Sequence, residues 1–318
     1  MAKEQMKILI TEPEYFPEKS LKALESIGEI TTKKLSRQEL LKTIENFDII
    51  IVRIETEIDR EVINLAKKLK IIASVTTGVN HIDVDYAKEK NIKIINLEGA
   101  NSNSAAEHTF ALILSLVRNI PNSFESIKKS EWKRHEFIGH ELKDKTLGIV
   151  GFGRIGSRIA VFAKSFGMNV LTYDKYVTKD FAKNIGASLV SLEELLKDSD
   201  IITLNCILTS ETKAMISYKE FEKMKKFAFL VNTSRAEVVD EKALLDALKS
   251  GKIRGAALDV IEDEKMLREN KEGTNTLIEY AKNHKNLIIT PHLGGLTHES
   301  INDATMFVVN KIKESLKS

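Results

Sequence analysis

The run Thr146-Leu147-Gly148-Ile149-Val150-Gly151-Phe152-Gly153-Arg154-Ile155-Gly156 holds two signals in succession. Residues 146–150 have a short apolar strand pattern, and residues 151–156 fit G-x-G-x-x-G and open an amphipathic helix over 154–166. A glycine loop between a strand and a helix suits a pyrophosphate. Gly151 permits the tight turn, Gly153 lets the backbone approach the phosphates, and Gly156 lets the helix pack close to the strand. The helix N-terminus adds free N–H groups and the positive end of its dipole. Asp174 stands 18 residues past Gly156, at the end of the next predicted strand, 169–173. A carboxylate there accepts both ribose hydroxyl hydrogens and repels a 2′-phosphate, which favours NAD over NADP; the neighbouring Lys175 works against that preference.

Apolar strand runs alternate with amphipathic helices on both sides of this loop. Downstream, 201–205, 227–232, 255–260 and 286–290 are predicted strands; upstream, 7–11, 48–52, 70–75 and 92–96 form an earlier series. Such alternation implies parallel sheets covered on both faces. Capping boxes mark helix starts at Ser36-Arg37-Gln38-Glu39 and Ser191-Leu192-Glu193-Glu194. Between the two series, residues 104–119 are apolar on most faces and predict a buried helix ended by Pro121. A polar arm over 122–142 follows and carries the single tryptophan, Trp132. A last helix is predicted over 297–317. The 318 residues suffice for two ordinary cores, so the fold expected is α/β with two parallel-sheet domains.

Charge balance narrows the classes of partner. Lys and Arg number 48 against 46 Asp and Glu, a formal net charge of +2, so no general field recruits nucleic acid or an anionic membrane. No stretch approaches the roughly 18 apolar residues of a membrane span, and the first residues carry no export signal; a cytoplasmic protein is expected. Cys206 is the single cysteine, and no His/Cys cluster has zinc spacing, so neither an internal disulfide nor a metal site is expected. The expected partner is a small molecule held in a local site.

Three segments each follow a predicted strand of the later series: Asn232-Thr233-Ser234-Arg235, Ala257-Leu258-Asp259-Val260 through Glu264, and Thr290-Pro291-His292-Leu293-Gly294-Gly295. Ligands of open α/β sheets gather at the carboxyl ends of the strands. The planar guanidinium of Arg235 can grip a substrate carboxylate with paired hydrogen bonds. Reducing a ketone needs a proton as well as a hydride, and the imidazole of His292 gives and takes one near neutral pH. A carboxylate on the other ring nitrogen fixes the tautomer. Glu264 is the candidate, with Glu262 and Asp263 as neighbouring alternatives.

At these residues the sequence resembles the D-isomer-specific 2-hydroxyacid dehydrogenases. The resemblance runs from Thr77-Gly78-Val79-Asn80-His81-Ile82-Asp83 through Asn101-Ser102-Asn103-Ser104-Ala105-Ala106-Glu107, the glycine loop and 232–240 to Pro291-His292-Leu293-Gly294-Gly295. It implies Arg235, Glu264 and His292 as the catalytic trio, and the amides of Gly78 and Val79 as holders of the substrate carboxylate. It implies NAD as cofactor, with contacts at Arg154, Ile155, Asp174, Cys206, Thr212, Thr233, Arg235 and Asp259 beside Gly151, Gly153 and Gly156. Arg53, at the end of an early strand, is a candidate partner for a substrate phosphate or carboxylate.

Residues 132–156 are most similar to phosphoglycerate dehydrogenases, which implies 3-phosphoglycerate as a candidate substrate and a place in serine biosynthesis. Glyoxylate/hydroxypyruvate and D-lactate reductases of the same family are the alternatives, and an NAD-sensing, corepressor-like interaction protein is the alternative from another class. The implied architecture inserts a Rossmann-type NAD domain, 102–291, into a flavodoxin-like substrate domain made of 1–101 and a return helix in 292–318. A homodimer through helix 104–119 and arm 122–142 is expected. The chain departs from the family pattern in a charged insertion over 265–285 and at Asn205 and Ile207, where members often show His and Pro.

Other patterns carry no function. His135 and His140 are five residues apart, and Gly139 disfavours the helix that would align them on a zinc ion. Tyr86 and Lys90 have the Tyr-x-x-x-Lys spacing of another dehydrogenase class but precede the glycine loop. Cys206 has no adjacent basic partner to make it a nucleophile.

Overall fold

The computed structural model describes residues 5–97, 99, 101–268 and 275–317. The chain divides into two compact units, Met1–Asn101 with Leu296–Ser318, and Ser102–Gly295. The earlier unit is built on five parallel strands, β1 (Met6–Ile10), β2 (Gly28–Thr32), β3 (Ile49–Val52), β4 (Ile71–Ser74) and β5 (Lys93–Ile95), in the order β2-β1-β3-β4-β5. That order is flavodoxin-like. β3 and β4 are buried along their whole length, as strands covered on both faces must be. The helix His298–Ser315 covers one face, where Val308, Val309 and Ile312 join Ile8, Leu24 and Ile51 in one core. On the other face Leu40, Val62 and Ile63 pack with Leu9, Ile50 and Ile72.

The later unit has seven parallel strands: β6 (Thr146–Val150), β7 (Asn169–Tyr173), β8 (Ser188–Leu189), β9 (Ile201–Leu204), β10 (Ala228–Asn232), β11 (Ile253–Leu258) and β12 (Leu287–Ile289). Their order, β12-β11-β10-β9-β6-β7-β8, is the Rossmann arrangement with one further strand. The order reverses between β6 and β9, so the chain leaves these two neighbours in opposite directions and opens a crevice at their carboxyl ends. Both segments there are polar or glycine-rich: Gly151 follows β6, and Asn205 follows β9. The helices Ser102–Val117 and Arg154–Ser165 are joined by Phe110, whose ring meets Phe162 and Phe166 at 5.9 and 4.9 Å.

Several elements differ from expectation. β2 and β8 are edge strands whose half-exposed residues carry little apolar alternation, so they escape a pattern search. Pro121 does not end the helical region. The chain turns at Asn119 (φ 55°) and Pro121 enters the first turn of a second helix, Ile120–Lys128, where a missing N–H costs nothing. The arm is therefore partly helical, with a further 3-10 turn at Arg134–Phe137. Phe110, Ile113 and Leu116 of Ser102–Val117 pack into the later unit's own core. His292–Gly295 group with the later unit, four residues beyond the expected boundary at 291. Of the charged insertion, residues 269–274 lie outside the described residues, and its remainder holds the helices Glu264–Arg268 and Thr276–Asn283.

Leu277 of that insertion is fully buried in the later core. Leu277→Ala should therefore cost about 2–4 kcal/mol, read as a fall in the urea midpoint at unchanged slope. A loss below about 0.5 kcal/mol would mean that the inserted helix is not packed.

Candidate active site

The glycine loop is built by close approach. Gly151 has φ +90°, and a Cβ there would sit 2.7 Å from the backbone of Asn205 and Cys206. A Cβ on Gly156 would strike the carbonyl oxygen of Gly151 and lie 3.1 Å from Ile149. Gly153 is different: a Cβ on it would meet no protein atom within 4 Å. Gly153 is also the N-cap of Arg154–Ser165 and offers no side-chain cap, so the first N–H groups of that helix remain available. The space beside a bare helix start fits a phosphate. Asp174 is locked next to it, accepting from Phe152 N at 2.7 Å and Tyr176 N at 2.8 Å. Lys175 turns to Glu211, at 2.6 Å, and so is already paired. These residues fit a dinucleotide with an unphosphorylated ribose.

At the ends of β10, β11 and β12 the chemistry is gathered by one carboxylate. Asp259 is 1% exposed, and its oxygens accept from Leu293 N (2.8 Å), Gly294 N (2.8 Å), Thr290 Oγ1 (2.5 Å) and His108 Nε2 (3.1 Å). Burial pushes its pKa up, but the bonds from His108, Thr290, Leu293 and Gly294 outweigh it and hold the group below the ordinary carboxylate range. The main chain of Asp259 adds a bond from His292 N at 3.0 Å. His292 is held at φ 56°, a left-handed conformation uncommon outside glycine. Its Nδ1 lies 2.9 Å from Glu264 Oε2. An ionised carboxylate only accepts, so Nδ1 carries the hydrogen, and Nε2 has no partner among the described residues. Of the three acidic candidates, Glu264 is thus the one on the imidazole.

Arg235 lies three residues beyond β10, as the N-cap of a 3-10 turn, Ala236–Val238. Asn232 braces that turn, donating to Arg235 O at 2.9 Å and accepting from Ser234 N at 3.0 Å. The guanidinium donates to Ser234 O at 2.7 Å, and no carboxylate of the described residues lies within ion-pair distance of it. Thr233 is tied to Thr109 by a 2.7 Å hydroxyl contact, and Thr212 closes its own turn by donating to Ile207 O at 2.7 Å. Arg154 is exposed and Ile155 half-buried at the helix start.

In the earlier unit, the amide N–H groups of Gly78 and Val79 have no acceptor among the described residues, while their carbonyls accept from Thr76 Oγ1 and Ile82 N. Such a pair of free amides suits a carboxylate. Arg53 follows β3 with a buried, unpartnered Nη1.

His108 is the residue that sequence reasoning passed over. It follows the Asn101–Glu107 motif directly, on an otherwise apolar helix, and the signal was a lone imidazole at a core-facing position. Elsewhere, a cavity of about 230 Å³ bounded by His140, Lys145, Phe227 and Arg254 opens where β6, β10 and β11 begin, at the end of the sheet away from the glycine loop. Among the described residues no His/Cys/Asp/Glu cluster suits a metal, and no helix is long and apolar enough to cross a membrane. Burial pushes the Cys206 thiol up to about 11, with the charge of Asp174 adding to the rise, which makes it a poor nucleophile.

Residues 110–294 match the profile of the D-isomer specific 2-hydroxyacid dehydrogenase, NAD binding domain. The chain belongs to that family. Its later unit is the family's NAD-binding domain. The chain is 43% identical over 314 residues to the D-3-phosphoglycerate dehydrogenase of Methanocaldococcus jannaschii, which is 98% of this chain and 58% of that protein. It is 39% identical over 305 residues to the glyoxylate reductase of Thermococcus litoralis, 92% of this chain and 88% of that one. Its fold superposes on a D-lactate dehydrogenase from Aquifex aeolicus, solved with NAD and lactic acid, with a TM-score of 0.87 at 33% identity, covering 98% of this chain and 95% of that one. The chain spans just over half the length, 58%, of the phosphoglycerate relative.

The glycines separate fold from binding. Gly153→Ala should leave the thermal midpoint within about 2 °C yet weaken NADH binding by tenfold or more, roughly, because its Cβ meets ligand space alone. Gly156→Ala should lower the midpoint itself, and equal effects of the two on stability would refute this division. Alkylation of Cys206 by iodoacetamide should stay slow through pH 9 and rise only toward about 11; rapid modification at pH 7.5 would contradict the buried thiol.

Proposed function

We propose that the chain is an NAD-dependent oxidoreductase that interconverts a small D-2-hydroxy acid and its 2-oxo acid. The observation behind this is the 2.9 Å Glu264–His292 pair on a segment held rigid by Asp259. Bound at the glycine loop and Asp174, the nicotinamide cofactor supplies or removes the hydride. Arg235 holds the substrate carboxylate by a bidentate contact. The free amides of Gly78 and Val79, in the earlier unit, are assigned separately to substrate binding. His292 gives the proton on Nε2 to the carbonyl oxygen during reduction and takes it back during oxidation. Glu264 accepts the hydrogen on Nδ1, so the ring keeps one orientation and its charged form is stabilised. Asp259, whose oxygens are all engaged by protein donors, acts through position, and Cys206, Thr212 and Thr233 contribute main-chain contacts to the cofactor. Arg53 is assigned to a second polar group of the substrate.

The relatives' named substrates bracket the acid as 3-phosphoglycerate, glyoxylate or lactate; a role in serine biosynthesis requires the first of these. A homodimer is proposed through the arm. Ile120, Phe124 and Ile127 lie at helical spacing on one face of Ile120–Lys128 and are 53%, 62% and 51% exposed, with Trp132 and Ile138 at 80% and 76% beyond them. A cytoplasmic location accords with the single unpaired cysteine.

Oxidation of NADH with glyoxylate, hydroxypyruvate, pyruvate and 3-phosphohydroxypyruvate tests the proposal. His292→Asn tolerates the left-handed backbone and removes the acid–base group, so turnover should fall by roughly 10²–10⁴ with NADH affinity retained. Arg235→Lys keeps the charge but loses the planar fork and should raise KM or lower kcat. Unchanged turnover in His292→Asn would remove its role. Tight NADH binding with no turnover of any acid would mark a cofactor-sensing protein instead.

A further inference from the structure

Arg53 is a cation with an idle donor. Its Nη1 is buried with no hydrogen-bond partner, and its guanidinium lies 4.6 Å above the ring of Tyr15. No carboxylate of the described residues comes within ion-pair distance of it. Burial lowers its pKa, and the charges of Glu12, Tyr15 and Glu55 oppose that only in part. A largely buried guanidinium with an idle donor is costly unless a ligand completes it.

Its surroundings restrict the ligand's charge. Glu12 is 3% exposed, and its carboxylate accepts the N–H groups of Arg53, Thr56 and Glu55 at 2.9, 3.3 and 3.4 Å, so it is fixed beneath the loop that carries Arg53. Glu55 lies near enough to add its repulsion to the burial that raises the Glu12 pKa. Lys34 is already shared between Glu55 at 2.8 Å and Glu14 at 3.2 Å. Arg53 is thus accompanied by two carboxylates, and none of these contacts brings a second unpaired cation.

We infer that Arg53 receives a group with at most one negative charge, a carboxylate or a neutral oxygen, and that Glu12 and Glu55 exclude a phosphate dianion. This rests on the assignment of Arg53 to the substrate made above and narrows it to unphosphorylated acids. A dianion would bring two charges to a loop where Glu12 and Glu55 already act on the guanidinium and only Glu55 has a cation of its own, Lys34 at 2.8 Å, and like charges in a partly buried site repel. Discrimination by repulsion is as effective as discrimination by fit. Glu12 is a positioning residue for the Arg53 loop. Glu55, at the surface of the same loop, sets specificity through its charge. The substrate named for the phosphoglycerate relatives is therefore disfavoured in this chain.

The test compares kcat/KM for hydroxypyruvate and 3-phosphohydroxypyruvate in the wild-type chain, Glu55→Gln and Glu55→Ala. The wild type should prefer hydroxypyruvate by roughly tenfold or more, and both variants should narrow that ratio by roughly tenfold, mainly through KM of the phosphorylated acid. A wild-type preference for the phosphorylated acid, or a ratio unmoved in both variants, overturns the inference. Failure of every acid to react counts against the proposed enzyme and leaves calorimetry to decide the charge limit. D-glycerate binding more tightly than 3-phosphoglycerate, and weakened in Arg53→Gln, supports it. Tighter 3-phosphoglycerate, or no binding of either, refutes it.

Discussion

The later unit's chemistry hangs on the buried carboxylate of Asp259. Its donors come from the helix Ser102–Val117 through His108, from the end of β12 through Thr290, and from the backbone of Leu293 and Gly294. Leaving such a charge unpaired costs about 3–5 kcal/mol, so the segment after β12 is pulled onto the carboxylate. That pull keeps His292 at φ 56°. Because the folded pKa of Asp259 is depressed, its contribution to stability is present above the ordinary carboxylate value and is lost as pH falls through the lower folded one.

A parallel sheet with a switch point supplies the other constraint. β6 and β9 are neighbours, and the loops leaving them approach so closely that Gly151 has no room for a side chain against Asn205 and Cys206. Gly156 is equally crowded by the loop itself, whereas Gly153 faces open space. Two glycines therefore answer to the fold, and the third has open space where a side chain would stand. The apolar strands that bring these loops together are buried on both faces, so the site's geometry is fixed by a core that contains none of its chemistry.

Most of this was legible because it is local. The glycine loop, the carboxylate after β7, the caps at Ser36 and Ser191 and the principal strands are written in neighbouring residues. What escaped depends on distant parts of the chain. Edge strands β2 and β8 have weak patterns because one side needs no covering. Pro121 is compatible with either stopping a helix or starting one, and only the left-handed Asn119 before it decides for a start. Nothing near His108 in sequence points to a carboxylate 151 residues away. The acidic setting of Arg53 is likewise assembled from Glu12, beyond β1, and Glu55, in the loop after β3, segments with no shared motif.

The later unit holds two imidazole–carboxylate pairs, and their wiring assigns them different work. His108 directs Nε2, the nitrogen at the tip of its ring, inward to Asp259 and Thr290, at 3.1 and 3.2 Å. That carboxylate already serves three other donors, so the pair is closed and acts as a brace. His292 is turned the other way. Its Nδ1 meets Glu264, and its side chain, 33% exposed, keeps Nε2 without a partner among the described residues. A proton can leave or arrive only where a nitrogen is both oriented and uncommitted. Of the two histidines, His292 alone meets that condition, and His108 helps it to do so by securing the aspartate that holds its backbone.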